Sequence, residues 1–138
     1  MVVLSNDEIK CISLFESITG VVAEDCLIEP GRVVFIVKEG HMGRAIGKGG
    51  SVINKVREAF KKQVDVFENA STLEGFVRHL FPTVQLKELK ILGRDEEKVA
   101  QISVSSKDRG AVIGRNGDKI KLARMLLERR YGVKLRLV

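Results

Sequence analysis

The chain has 138 residues, enough for one ordinary domain or two very small ones. Its 44% hydrophobic and 30% charged residues describe a soluble globular composition, and no apolar run approaches the ~20 residues that span a bilayer. A net charge of +6 suits a polyanionic partner, while an N-terminus without a basic stretch leading into an apolar one excludes a secretory signal, so a cytoplasmic protein is expected.

In chain order, "NDEIKCISLFESITG" reads as a helix, with Asn6 as its N-cap, Asp7 and Glu8 in the first turn, and Gly20 at its end. "VVAEDCLIE" reads as a strand, Pro30-Gly31 as a turn and "RVVFIVK" as a second strand. A short helical turn near residues 42–46 leads into "GKGG". Residues 51–62 form the clearest helix, with Ser51 placed to cap it and Val52, Ile53, Val56 and Phe60 at helical spacing. "VDVFE" closes this half.

The second half runs in the same order. "TLEGFVRHLF" is helical and stops before Pro82. "VQLKELKIL" is read as a strand, "GRDEEK" as a turn and "VAQISVSS" as a strand with one buried face. "DRGAVI" leads into "GRNG", "DKIKLARMLLERRYG" is a helix and "VKLRLV" is the last strand. A shift of 67 residues lays Ile46-Gly47 on Ile113-Gly114, Gly50 on Gly117, Ile53 on Ile120 and Arg57 on Arg124, with Lys48 meeting Arg115. One α–β–β–α–α–β unit is therefore expected twice, over residues 1–69 and 70–138, in an α+β fold with a three-stranded sheet in each copy.

The glycine-rich loops carry the chemistry. A nucleotide-hydrolysing loop is excluded: five residues before Gly47 stands Met42, and after Lys48 comes Gly49 rather than the hydroxyl residue that would hold magnesium. What repeats is Ile-Gly-x-x-Gly between two helices, with a basic residue inside. Gly47 and Gly114 are expected to end one helical turn, and Gly50 and Gly117 to let another chain's backbone approach. The N–H groups opening the next helix are expected to be free, at the positive end of its dipole, and to grip a phosphate beside Lys48 or Arg115.

"AIGKGGSVI" and "VIGRNGDKI" resemble the signature loops of KH domains, which clamp the backbone of a short single-stranded segment. The element order resembles the prokaryotic, type II form. Two such modules across nearly the whole chain resemble the NusA family of transcription termination and antitermination factors, most closely its short archaeal form. The resemblance implies tandem type II KH domains and binding of single-stranded RNA, the nascent transcript, with RNA polymerase as a second expected partner. The polymerase-binding and OB-type domains of bacterial members have no counterpart in these residues.

By that resemblance the RNA-binding set is Ile46, Gly47, Lys48, Gly49, Gly50 and Ile53 in the first copy, and Ile113, Gly114, Arg115, Asn116, Gly117 and Ile120 in the second. The isoleucines are the candidates for an apolar groove beside each loop, with core packing as their alternative. Arg44, Lys55, Arg109, Lys119 and Lys121 are flanking basic contacts, or else solvated charges. Charge is distributed to match: residues 1–39 carry net −4, residues 40–68 net +3 and residues 69–138 net +7. Few aromatics (5%) argue against a base-stacking platform. No nucleophile–base set is placed by a motif, and Cys11, Cys26, His41 and His79 lack metal-ligand spacing. A binding protein is thus expected, not an enzyme, with no metal, cofactor, small-molecule substrate or membrane partner. The rival readings are a KH-fold protein-interaction adaptor and an RNA-binding factor of ribosome assembly or RNA decay.

Overall fold

Ser5, rather than Asn6, caps the first helix, α1 (Asn6–Thr19). The Glu8 N–H donates to Ser5 Oγ at 3.2 Å, and the Ser5 N–H donates to Glu8 Oε1 at 2.9 Å. This reciprocal capping box satisfies two otherwise orphaned donors. Gly20 ends the helix at φ 67°. The computed structural model describes residues 3–138; residues 1 and 2, where the first copy was expected to begin, lie outside the described residues.

The described chain divides into two compact units, residues 3–71 and Thr72–Val138. In the first, β1 (Ala23–Glu29) and β2 (Arg32–Val37) form an antiparallel hairpin. The chain then crosses over through α2 (Met42–Ile46) and α3 (Ser51–Phe60) and returns as β3 (Gln63–Glu68), parallel to β2. A parallel neighbour cannot be reached by a tight turn, so a helical crossover is required. The glycine-rich loop is the corner in the middle of that crossover.

α1 and α3 cover the β2 face that bears Val33, Phe35 and Val37. Phe35 stacks on Phe15 with centroids 4.2 Å apart and meets Phe60 edge-on at 5.5 Å. Val34 and Ile36, on the opposite face of β2, are also buried, which accounts for the unbroken apolar run of this strand.

The second unit repeats the order: α4 (Leu73–Leu80), β4 (Glu88–Leu92), β5 (Val99–Ser103), α5 (Arg109–Ile113), α6 (Asp118–Tyr131) and β6 (Lys134–Leu137). Its sheet order β4-β5-β6, with β5 and β6 parallel, matches β1-β2-β3. Thr72 caps α4 by accepting the Gly75 N–H at 3.0 Å. The expected strand over residues 84–92 is shorter than its hydrophobic pattern: pairing starts at Glu88, and residues 82–87 are irregular after Pro82. The slip in apolar phase between Leu86 and Leu89 marks this change, Leu86 being buried outside the strand.

Candidate nucleic-acid interface

The two loops have one backbone. Gly47 has φ/ψ 76°/168° and Gly114 76°/175°; Gly49 has 62°/21° and Asn116 57°/25°; Gly50 has 79°/15° and Gly117 74°/14°. Positions 47 and 114 lie in a region open almost only to glycine. They are also crowded. A methyl group on Gly47 would sit 2.5 Å from Val52 Cγ2 and 2.8 Å from Val52 N, and one on Gly114 would sit 2.7 Å from Lys119 Cγ and 2.9 Å from Lys119 N. The first glycine of each loop is thus the one pressed against this chain's own following helix. A methyl on Gly50 or Gly117 would meet nothing nearer than 3.8 Å, so their requirement is the positive φ alone.

The free donors differ from those expected. The Gly50 N–H turns back to Gly47 O at 3.1 Å, and the Gly117 N–H to Gly114 O at 3.2 Å. The Ser51 and Asp118 N–H groups donate to Lys48 O and Arg115 O. The loop thus closes as one tight 3₁₀ turn, and Ser51 is its following helical residue, with no side-chain cap. Among the described residues the N–H groups of Lys48 and Gly49, and of Arg115 and Asn116, have no backbone acceptor. In each pair a helical residue precedes a left-handed one, which points successive N–H groups into a common concavity suited to an anion. All four residues are exposed.

Of the flanking candidates, Lys119 and Lys121 lie directly against the second loop: Lys119 over Gly114, and Lys121 with its Cε near Gly117. The equivalent places in the first loop are taken by Val52 and Asn54. Asn54 Oδ1 accepts from Arg57 Nη1 at 3.3 Å, which adds Arg57 behind the first loop; the 67-residue repeat had marked its twin, Arg124, without naming either as a contact. Arg115, Lys119 and Lys121 against the carboxylate of Asp118 give residues 114–121 a net charge of +2, against +1 from Lys48 over residues 47–54. Lys55 is exposed on α3. Arg44 and Arg109 are partly committed elsewhere: Arg44 Nη2 donates to Gly20 O at 3.0 Å and Arg109 Nη1 to Val138 O at 2.8 Å.

The isoleucines separate. Ile53 and Ile120 are 3% and 6% exposed and belong to the cores, which was the alternative to a place in the groove, because both point inward from the helix following the loop. Ile46 and Ile113, immediately before the loops, are half-buried and retain an apolar edge there. His41, at the start of α2, is half-buried, with Nδ1 enclosed and without a hydrogen-bond partner.

A family model described as KH domain matches residues 11–92. The chain is 38% identical over 132 residues to the "Probable transcription termination protein NusA" of Halococcus morrhuae, covering 96% of this chain and 94% of that protein. It is 38% identical over 126 residues to the protein of the same name from Methanocaldococcus jannaschii, covering 91% and 69%. The crystal structure of APE1850 is similar with a TM-score of 0.87 and 40% identity, over 98% of this chain and 100% of that one.

Proposed function

Because this chain belongs to the archaeal NusA-like family of KH-domain proteins, we propose that it binds single-stranded RNA through both of its glycine-rich loops and acts in transcription termination or antitermination. Both units, over residues 1–69 and 70–138, are read as type II KH modules. The observation that carries this is the recurrence of one loop backbone, with two N–H groups that have no backbone acceptor, on exposed residues, and an exposed cation in each copy.

A phosphate seated on the Lys48 and Gly49 N–H groups receives two hydrogen bonds from a fixed backbone and the charge of the Lys48 ammonium. Arg115 and Asn116 do the same in the second module, with Lys119 and Lys121 beside them. The bases of the gripped strand lie against the apolar edges at Ile46 and Ile113. Contacts of this kind position the backbone and read little sequence, so the binding is sequence-tolerant. The partner in the cell is the nascent transcript in the cytoplasm, with RNA polymerase nearby.

Two measurements test this reading. Fluorescence anisotropy with labelled single-stranded and duplex RNA of equal length is expected to show preference for the single strand, with log affinity falling linearly in log salt by about 0.7 per phosphate neutralised. Equal binding of both, or affinity flat in salt, contradicts it. Affinity purification is expected to recover RNA polymerase; recovery of ribosomal particles alone would move the role to ribosome assembly.

A further inference from the structure

The two loops differ in what lies beside their last glycine. In the second it is Lys121, its Cε 3.8 Å from where a methyl group on Gly117 would sit. In the first it is Asn54, its Nδ2 3.8 Å from where a methyl on Gly50 would sit. Asn54 Oδ1 accepts from Arg57 Nη1 at 3.3 Å. A guanidinium has only donors, so this bond fixes which way the amide is turned: its oxygen to Arg57, its nitrogen to the loop. Both residues are exposed, and neither side chain makes a further hydrogen bond among the described residues. The equivalent arginine of the second unit is turned elsewhere, Arg124 Nε donating to Leu135 O at 3.3 Å.

The first loop therefore carries a small set of donors, with the one side-chain acceptor, Oδ1, turned aside. Asn54 contributes the N–H groups of Nδ2, and Arg57 the guanidinium N–H groups not used on Oδ1.

We propose that Asn54, held by Arg57, reads a nucleobase at the first loop and selects an edge with two adjacent acceptors, guanine O6/N7 or cytosine O2/N3, against adenine. The inference rests on the RNA-binding reading above and gives it a base preference. An asparagine amide with both ends free offers a donor beside an acceptor, which matches N7 and the N6 amino group of adenine. With Oδ1 committed to Arg57 that match is lost. An adenine in this position sets its amino group against Nδ2–H or the guanidinium, donor against donor, and leaves both without a partner. Guanine O6 and N7, or cytosine O2 and N3, accept from every group in the set. Single-stranded RNA exposes both of these base edges. Lys121 is a compact charge on a flexible stem, so the second loop adds affinity without this preference. Asn54 is the reading residue, and Arg57 is a positioning residue.

The test is anisotropy on the full chain with labelled single-stranded RNAs of equal length: oligo-adenosine, oligo-cytidine, alternating adenosine–guanosine, and the last with 7-deazaguanosine in place of guanosine. The wild type is expected to bind the cytidine or the guanosine RNA about fivefold or more tightly than oligo-adenosine. The preferred RNA identifies the base, and a guanosine preference should disappear with 7-deazaguanosine, which lacks the N7 acceptor. Asn54→Leu puts a good helix former at an exposed position and should lose the preference while the salt slope stays as in the wild type. Arg57→Leu releases Oδ1, so the affinity ratio should move toward adenosine, past its value in Asn54→Leu; a merely structural Arg57 would leave that ratio alone. Wild-type binding of oligo-adenosine as tight as that of the other RNAs, a preference unchanged in Asn54→Leu, or a guanosine preference that survives 7-deazaguanosine would overturn the inference. Failure of the wild type to bind any of these RNAs would instead overturn the RNA-binding reading itself.

Discussion

The Lys119 side chain lies over the α-carbon of Gly114, its Cβ and Cγ 2.8 and 2.7 Å from where a methyl group there would sit. In the first loop Val52 fills the same slot on Gly47. One steric role is thus filled by a plain hydrocarbon in one copy and by the stem of a cation in the other.

Lys119→Val should therefore keep the second loop's packing while removing a charge beside its phosphate site. The expected outcome is weaker binding of single-stranded RNA, a salt slope lower by about 0.7, and a stability change within about 1 kcal/mol. Val52→Lys should act in the opposite direction at the first loop. Anisotropy at several salt concentrations, alongside urea denaturation, separates charge from packing. An unchanged slope would place the Lys119 ammonium away from the RNA.

The first glycine of each loop should be the most costly to replace. Gly47→Ala and Gly114→Ala meet both an unfavourable backbone and a blocked space, an expected loss of about 2 kcal/mol or more. Gly50→Ala meets the backbone cost alone, with room for its methyl, and should lose about 1 kcal/mol. Equal losses at the three sites by urea denaturation would contradict this ordering.

The order of elements was legible in the sequence because it rests on local chemistry. Helical spacing in α3, the Pro30-Gly31 turn and the stops at Gly20 and Gly132 each followed from residue type. The N-cap was also legible, as the Ser5-x-x-Glu8 pattern one residue before Asn6. Ser5→Ala should cost about 1 kcal/mol and Asn6→Ala little, as thermal melts can show.

What was not legible depends on three-dimensional packing. An apolar residue after a loop can face a ligand or the core, and only the sheet beneath decided that Ile53 and Ile120 turn inward. Likewise, spacing cannot say that Lys119 and Lys121 lie on the loop while Arg44 and Arg109 reach back to carbonyls. The free donors moved from the helix start to the loop interior because a 3₁₀ turn consumed the expected ones.

Burial pushes the Cys26 thiol from 9.0 up to about 12. Its folded form therefore holds a proton that the unfolded chain gives up at lower pH. The contribution is complete below pH 9 and is lost as pH rises from there through about 12. Denaturation of the wild type and Cys26→Ala across that window should show the wild type losing more stability. Parallel curves would show that the Cys26 thiol ionises freely in the fold.

The most direct test of the two-loop grip replaces Lys48 and Gly49 by aspartate in one loop and Arg115 and Asn116 by aspartate in the other, singly and together. These positions are exposed, Gly49 has open space around its α-carbon, and Gly49 and Asn116 share a left-handed conformation that aspartate adopts more readily than most residues, at a cost of under about 1 kcal/mol at Gly49. Carboxylates there would face the phosphates at close range, where like charges repel. Affinity for a long single-stranded RNA and the thermal midpoint are measured on the same samples. The predicted result is partial loss in each single-loop variant, larger for the second loop with its greater positive charge, and abolished binding in the combined variant, all with a midpoint near that of the wild type. Undiminished RNA affinity in a combined variant with a native midpoint would contradict the grip and favour a protein-interaction adaptor.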